Sequence, residues 1–394
     1  MSTSETEPVR RLGAHGPNVF PLSLGGMGMS GMYGPSDESE SVATIHEALD
    51  LGVNLIDTGD FYGMGHNEML IGRVLKDRKD EALVSVKFGA LRGPDGAWIG
   101  HDARPTAVRN FLAHSLTRLG LDHIDIYRPA RLDPAVPIED TMGAIADLIK
   151  AGYVRHAGLS EVGVETIRRA HAVTPIVDLQ IEYSIVSRKP VETILPALRA
   201  LGIGLTAYGV LSRGLLSGSK PAGQGDFRAH MPRFTGVNLD QNQRLVATLQ
   251  SLAAEKGVTA TQLAIAWVLG RGEDIVPVLG ARTRAQLRES LAALDVALSA
   301  DEVARIAAAV PAEAVAGERY AAAQMRMLAA SASPGVLGSS PRGGDRDEAE
   351  QHPDHDRESI RSVICRKTPR PPLDRVVKRG REHGSVRAVD PGRL

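Results

Sequence analysis

Short apolar segments alternate with longer amphipathic segments over most of the chain. The short segments are rich in Val, Ile and Leu, which is typical of strands buried on both faces of a parallel sheet. The longer segments repeat apolar residues at helical spacing, as Val42, Ile45 and Leu49 do, and several end in a glycine such as Gly52. Eight strands are predicted in this way, at 23–26, 53–59, 82–89, 123–128, 154–160, 177–183, 203–209 and 275–280.

Eight strands joined by helices most simply close into a (β/α)8 barrel, the TIM-barrel form of the α/β class. An open, doubly wound sheet is the alternative. The regular succession of eight strand–helix units weighs against that alternative. Residues 8–20 also predict a short hairpin ahead of the first barrel strand.

Two segments fall outside this repeat. Residues 211–240 form a long connection rich in Gly and Pro after the seventh strand, a length typical of lids and binding loops. Residues 331–394 lack periodicity and are rich in Pro, Gly and charged residues, which predicts a disordered tail. We therefore expect one barrel domain at 1–330, followed by the tail at 331–394.

Composition narrows the function classes. The 394-residue chain has a formal net charge of −1, which gives no sign of a nucleic-acid or membrane partner. No apolar run has transmembrane length and the N-terminus lacks the apolar centre of a signal peptide, so a cytoplasmic protein is expected. Cys365 is the single cysteine and no two histidines have metal-ligand spacing, so neither a disulfide nor a metal site is expected.

Polar side chains stand at the carboxyl ends of the second and third predicted strands, where barrel enzymes hold their chemistry. Asp57 ends the second strand, Tyr62 lies in the loop after it, and Lys87 ends the third. Asp57 is expected beside Lys87, because a buried cation needs a partner. An ammonium beside a phenol is expected to lower the pKa of Tyr62 from about 10, making it a usable proton donor or acceptor. Singly, these residues could instead be a loop cap, a packed aromatic and a sheet-edge lysine.

The segments LIDTGDFYG at 55–63 and VSVKFG at 84–89 resemble the aldo-keto reductases, and the resemblance continues over roughly residues 10–325. It implies that Asp57, Tyr62 and Lys87 are catalytic. It also implies NADPH-dependent reduction of an aldehyde or ketone, a small-molecule carbonyl substrate, with Tyr62 as the proton donor.

The resemblance also implies a nicotinamide cofactor site. In VRHAGLSEVG, LQIEYS and TAYGVLSRGLLSG, it assigns Ser160 and Gln180 to the carboxamide and Tyr208 to stacking on the nicotinamide ring. In VPVLGARTRAQLRES it assigns Arg282, with Gln286 and Glu289, to the adenosine 2′-phosphate. The remaining implied cofactor contacts are Gly209, Val210, Leu211, Arg213, Gly280 and Ser290.

Three positions depart from the family pattern. DIYRPARLDP carries Ala130 where a histidine usually orients the substrate carbonyl, which leaves the substrate class open. Glu161 and Ser290 each replace an asparagine that commonly contacts the cofactor.

The substrate is not identified by these residues. Candidate substrate contacts are Met29, Tyr33, Trp98, Ala130, Phe227, Arg228 and Phe234. A pyridoxal- or sugar-type reductase or dehydrogenase is one alternative. A non-catalytic NADPH-binding regulatory subunit, like the barrels attached to potassium channels, is the other. The oligomeric state is not predicted.

Overall fold

Eight parallel strands close into a barrel at the centre of the computed structural model, which describes residues 9–221, 223, 226–322, 324, 325 and 328. The barrel strands are β1 Ser23–Gly25, β2 Leu55–Gly59, β3 Leu83–Phe88, β4 Ile124–Pro129, β5 Val154–Ser160, β6 Ile176–Glu182, β7 Gly204–Tyr208 and β8 Ile275–Gly280. Each strand pairs with its neighbours in sequence, and β8 pairs with β1. The predicted barrel is confirmed, and the open sheet is excluded.

Helices surround the barrel. They are α1 Glu38–Asp50, α2 His66–Arg78, α3 Pro105–Leu119, α4 Ile138–Lys150, α5 Val164–Val173, α6 Lys189–Leu201, α7 Gly236–Glu255, α8 Ala260–Leu269, α9 Arg284–Leu291 and α10 Ala300–Ala309. α4 shows why they form, because Met142, Ile145 and Leu148 recur at helical spacing and are buried against the barrel. Two helices, α7 and α8, connect β7 to β8, where a regular unit has one.

The amino end of the barrel is closed by the predicted hairpin. Arg10–Arg11 pairs antiparallel with Asn18–Val19. Leu12 and Val19 of this hairpin pack with Leu55 and Val177 from the barrel strands in a separate buried cluster. Because the described apolar side chains plug this end, we expect a ligand to enter at the carboxyl ends of the strands.

Two features of the connections were not predicted. Ala90–Arg92 pairs antiparallel with Trp98–His101, forming a second hairpin directly after β3. The long connection after β7 contains short 3-10 turns at Ser212–Gly214, Phe227–His230 and Pro232–Phe234. Each feature follows the carboxyl end of a barrel strand, which is the end where barrel enzymes hold their chemistry.

The predicted tail at 331–394 lies outside the described residues. Within the described part of the chain, none of the helices combines the length and the apolar character that crossing a membrane would need.

Candidate active site

A cavity of 580 Å³ opens at the carboxyl ends of the barrel strands. The catalytic and cofactor residues expected from the sequence all line it: Asp57, Tyr62, Lys87, Ser160, Gln180, Tyr208, Gly209, Val210, Leu211, Arg213, Gly280, Arg282, Gln286, Glu289 and Ser290. These positions are spread over more than two hundred residues of sequence, and the barrel brings them around one cavity. The cavity is therefore the candidate active site.

Asp57 and Lys87 form a buried ion pair on adjacent strands. The register of β2 and β3 pairs Asp57 with Ser85 and Gly59 with Lys87, and the Lys87 ammonium donates to Asp57 Oδ2. Asp57 Oδ1 accepts from Ser85 Oγ at 3.1 Å and from Gln180 Nε2 at 2.8 Å. Burial lowers the pKa of Lys87, while the charge of Asp57 opposes that effect. Asp57 thus holds the ammonium in place, as the sequence predicted.

Tyr62 begins the 3-10 turn after β2 and is buried in the cavity wall. The Lys87 ammonium lies 5.0 Å from the centre of its ring, and Phe61 packs edge-on against it at 4.8 Å. The expectation that the pKa of Tyr62 is lowered is wrong for this site. Burial raises it well above 10, and the negative charge of Asp57 adds to the effect. The phenol therefore keeps its proton at neutral pH.

A second buried ion pair supports Asp57 from below. Arg128 pairs with Asp178 at 2.9 Å and donates to Ser85 Oγ at 2.9 Å, so it reaches Asp57 through one hydroxyl. A Cβ at Gly158 would lie 2.6 Å from the Asp178 carboxylate, so only glycine leaves room for this pair. Arg128, Asp178 and Ser85 thus hold the Asp57 carboxylate in place, and Asp57 in turn holds the Lys87 ammonium.

Ser160, Gln180 and Tyr208 stand on three neighbouring strands. Gln180 is in register with Ser160 on β5, and Tyr208 on β7 is in register with Glu182 on β6. The Tyr208 phenol donates to Glu161 Oε1 at 2.7 Å. These groups offer a flat ring and amide partners along one wall, which fits a nicotinamide beside Lys87 and Tyr62.

The cavity also extends to β8 and the start of α9, where Gly280, Arg282 and Gln286 line it. Arg282 Nη1 donates to the backbone carbonyls of Tyr33 and Pro35, each at 3.1 Å, and the Gln286 side chain accepts from the Arg282 backbone N–H at 2.9 Å. A Cβ at Gly280 would meet no atom within 4 Å, so the glycine leaves open space in the wall. A guanidinium next to a helix N-terminus and an open backbone suits a phosphate.

A network that the sequence did not predict closes the cavity from the segment after α10. Arg319 forms a two-pronged ion pair with Glu161, at 2.7 and 2.6 Å. The Tyr320 hydroxyl lies 2.6 Å from the Tyr208 hydroxyl. Both carboxylate oxygens of Glu161, at a position where the family pattern has an asparagine, are thus engaged by this segment.

The candidate substrate residues divide into two groups. Tyr33, Trp98, Ala130, Phe227 and Arg228 line the cavity. Met29 and Phe234 do not line it; both are buried in the hydrophobic core instead, because each lies in a short turn whose apolar side chain faces inward.

Further lining residues were not predicted as site residues, among them Phe61, His101, Arg131 and Tyr320. Phe61 and Arg131 directly adjoin residues that were singled out, so sequence position was an available signal. His101 and Tyr320 reach the cavity through the second hairpin and the segment after α10, for which no local pattern gives a signal.

Comparison with known proteins places the chain in a family. The family model described as "Aldo/keto reductase family" matches residues 21–311. A curated relative, "Probable aldo-keto reductase 1" of Glycine max, is 39% identical over 328 residues, covering 81% of this chain and 93% of the relative.

Solved structures agree with that placement. A glycerol dehydrogenase from Gluconobacter oxydans superposes with a TM-score of 0.70 at 27% identity, covering 78% of this chain and 97% of that one. An aldo-keto reductase from Bacillus halodurans, in its holo form, has a TM-score of 0.66 at 26% identity, covering 78% and 97%. The chain therefore belongs to the aldo/keto reductase family, the oxidoreductases that act on carbonyl groups with a nicotinamide cofactor.

Proposed function

We propose that the protein reduces an aldehyde or ketone to the alcohol with NADPH, and that Tyr62 is the proton donor. The observation that carries the proposal is the arrangement of one continuous cavity. Tyr62, Lys87 and Asp57 lie at its catalytic end, and Arg282 lies at its phosphate-binding end. A bound NADPH supplies a hydride to the carbonyl carbon, and the residues of this chain supply the rest.

Tyr62 donates its proton to the carbonyl oxygen. Its raised pKa keeps the phenol protonated before the reaction, and the negative charge that develops on oxygen is a stronger base than the phenolate. After transfer, the charge rests on the tyrosine. The Lys87 ammonium, 5.0 Å from the ring centre, stabilises it at that point and not before.

Asp57 positions Lys87, but its charge also makes it harder for Tyr62 to lose its proton. Its carboxylate holds the ammonium, yet its negative charge raises the pKa of Tyr62. The hydrogen bonds from Ser85 and Gln180 draw part of that charge away from the tyrosine. The side chains in this group therefore act as a unit, and removing one of them changes the others.

Support for NADPH over NADH comes from Arg282. The guanidinium lines the same cavity as Tyr62, and Gln286 and Glu289 also line it. A fork-shaped cation there matches the doubly charged 2′-phosphate that distinguishes the two cofactors.

The test is the decay of NADPH absorbance with a panel of aldehydes, ketones, dicarbonyls and pyridoxal. We expect turnover by the wild type, and a loss of at least about a hundredfold in kcat for Tyr62→Phe and for Lys87→Met, with NADPH affinity retained. Tyr153→Phe, which changes an exposed tyrosine, is the matched control and keeps full activity. If Tyr62→Phe retains more than about a tenth of wild-type turnover, another group donates the proton. If NADPH binds but no carbonyl is reduced, the protein binds the nucleotide without catalysis.

A further inference from the structure

Arg131 is a cation at the catalytic end of the cavity to which the steps above give no role. It follows Ala130 directly after β4 and lines the cavity. Its Nη1 donates to the Ala130 carbonyl at 2.6 Å and to Ser160 Oγ at 3.5 Å, and Nη2 donates to the Tyr320 phenol at 3.3 Å. Among the described residues, its hydrogen-bond partners are a carbonyl and two hydroxyls, and none forms an ion pair with it.

The other cations of the cavity are already accounted for. The acidic partners are Glu182 for Arg213 at 2.8 Å, Asp226 for Arg228 at 2.6 Å, and Asp57 for Lys87. Arg282 is proposed above to hold the cofactor phosphate. Glu161 is the carboxylate that acts on the pKa of Arg131, but both of its oxygens accept hydrogen bonds from Arg319. Glu182 also pairs with Arg233, at 3.3 Å, whereas Arg131 has no ion-pair partner among the described residues.

Arg131 stays charged in this position. Burial alone would lower its pKa, but the phenols of Tyr320 and Tyr208 and the carboxylate of Glu161 outweigh burial and raise it. A charged guanidinium shielded from water is poorly satisfied by neutral oxygens, so an anion that enters the cavity gains a strong, two-pronged contact.

The guanidinium lies close to the reacting groups. Ser160, which it contacts, is in register with Gln180, and the Gln180 amide donates to Asp57 at 2.8 Å. The charge of Arg131 also acts directly on Tyr62 and Lys87. Ala130 presents only a methyl group to the cavity beside it, so the wall next to the guanidinium has space for a substrate group.

Resting on the carbonyl reduction proposed above, we propose that Arg131 binds a carboxylate of the substrate. The preferred substrates are then oxo acids, aldehydes or ketones that carry a carboxylate within a few bonds of the carbonyl group. Hydride adds to the carbonyl carbon, the carbonyl oxygen takes the Tyr62 proton, and the product is the hydroxy acid. The carboxylate itself is unchanged. The guanidinium can donate two parallel hydrogen bonds to the two oxygens of a carboxylate.

The experiment compares acids with their methyl esters. Glyoxylate and 3-formylbenzoate, each beside its methyl ester, are reduced by the wild type and by Arg131→Gln, Arg131→Met and Arg131→Lys. We expect the wild type to prefer the acids. In the Gln and Met variants, kcat/KM for the acids should fall about ten- to a hundredfold while the esters change less than about threefold. Arg131→Lys should keep part of the preference, and Arg109→Gln, an exposed charge loss on α3, should keep all of it.

Two results would overturn the proposal. One is an equal loss on acid and ester, which would assign Arg131 to the carbonyl oxygen. The other is a wild type that prefers the esters. Failure of the proposed function looks different, because then no carbonyl compound is reduced at all. In that event benzoate binding to the NADP+-loaded wild type and Arg131→Gln, by calorimetry, still decides the matter: equal affinity rejects a carboxylate site at Arg131.

Discussion

Asp60 lies between Asp57 and Tyr62 in the chain, and its carboxyl group is buried. Asp60 Oδ2 accepts a hydrogen bond from the Gly89 backbone N–H at 3.2 Å. Burial raises the pKa of Asp60 to about 7, and the nearby Glu68 adds to the shift against the opposing hydrogen bond from Gly89. The folded protein therefore binds a proton at this site that the unfolded chain has already released at mildly acidic pH.

We predict that this carboxyl group makes the fold less stable as pH rises. Its folded pKa lies above the unfolded value, so its contribution is most favourable at acid pH and is lost as pH rises toward about 7. Asp60→Asn, which cannot ionise, should gain roughly 2–4 kcal/mol of unfolding free energy over the wild type at about pH 8, relative to the same comparison at about pH 4.5. Urea unfolding at the two pH values measures the difference. Asp77→Asn, on the exposed face of α2, should show no such gain. A gain for Asp60→Asn that is the same at both pH values would rule out a titrating Asp60.

At the residue scale, the pairing of Asp57 with Lys87 could be predicted from sequence, because a lysine at the end of a buried strand needs an acidic partner. The direction in which the pKa of Tyr62 shifts could not be predicted. The sequence suggests that the charge of Lys87 sets the pKa of Tyr62, whereas burial and the charge of Asp57 have the larger effects. Met29 and Phe234 show the same limit, because an apolar residue in a loop can face the core or the cavity with equal plausibility.

At the element scale, an ion pair holds the segment after α10, which contains Arg319 and Tyr320, at the carboxyl end of the barrel. Arg319 and Glu161 are buried and form two hydrogen bonds, and Glu161 holds the left-handed φ of 54° directly after β5. Burial acts to raise the pKa of Glu161, but the charge and hydrogen bonds of Arg319, the charge of Arg131 and the Glu182 backbone N–H together outweigh it. The pKa is therefore lowered and the carboxylate stays ionised. The pair thereby positions Tyr320 against Tyr208.

We predict a strong coupling between Glu161 and Arg319. Removing one partner of a buried pair leaves the other charge uncompensated, so Arg319→Met should cost about 3–5 kcal/mol of unfolding free energy. Glu161→Gln/Arg319→Met should recover much of that loss, giving a coupling energy above about 1 kcal/mol in a double-mutant cycle. Denaturant unfolding of the four proteins measures it. Additive effects of the two changes would show that the contact does not contribute to stability.

The junction of β8 and α9 should set the cofactor preference. Because Arg282 is expected to contact only the 2′-phosphate, Arg282→Ala should weaken NADPH binding by about 1.5–3 kcal/mol and leave NADH binding nearly unchanged. Fluorescence titration with both cofactors measures this. Arg284→Ala is the matched control, because the neighbouring Arg284 pairs with Glu40 and does not line the cavity. Equal weakening of both cofactors by Arg282→Ala would mean that the guanidinium contacts a group they share.

At the scale of the whole molecule, the barrel was predictable because each strand and helix carries its own periodic signal and chain order alone dictates the pairing. The contacts that finish the site were not. Glu161 and Arg319 are 158 residues apart, and neither stands in a motif that points to the other. The second hairpin could not be predicted for a related reason, since Ala90–Arg92 and Trp98–His101 are too short to show an alternating apolar pattern. Local periodicity specifies the scaffold, whereas long-range polar pairs complete the cavity.

The family match ends at residue 311, and residues 331–394 lack the apolar periodicity of the barrel helices and strands. We therefore propose that residues 331–394, predicted from sequence to form a separate tail, are dispensable. A chain ending at Ala330 should keep its turnover and melt within about 3 °C of the full chain. A chain ending at Ala316 provides the contrast. It lacks Arg319 and Tyr320, so it should melt well below the full chain and lose turnover, because Glu161 and the Tyr208 phenol lose their partners. Thermal melts and NADPH oxidation on the three proteins distinguish the outcomes. If the chain ending at Ala330 is as damaged as the shorter one, residues 331–394 contribute to the fold.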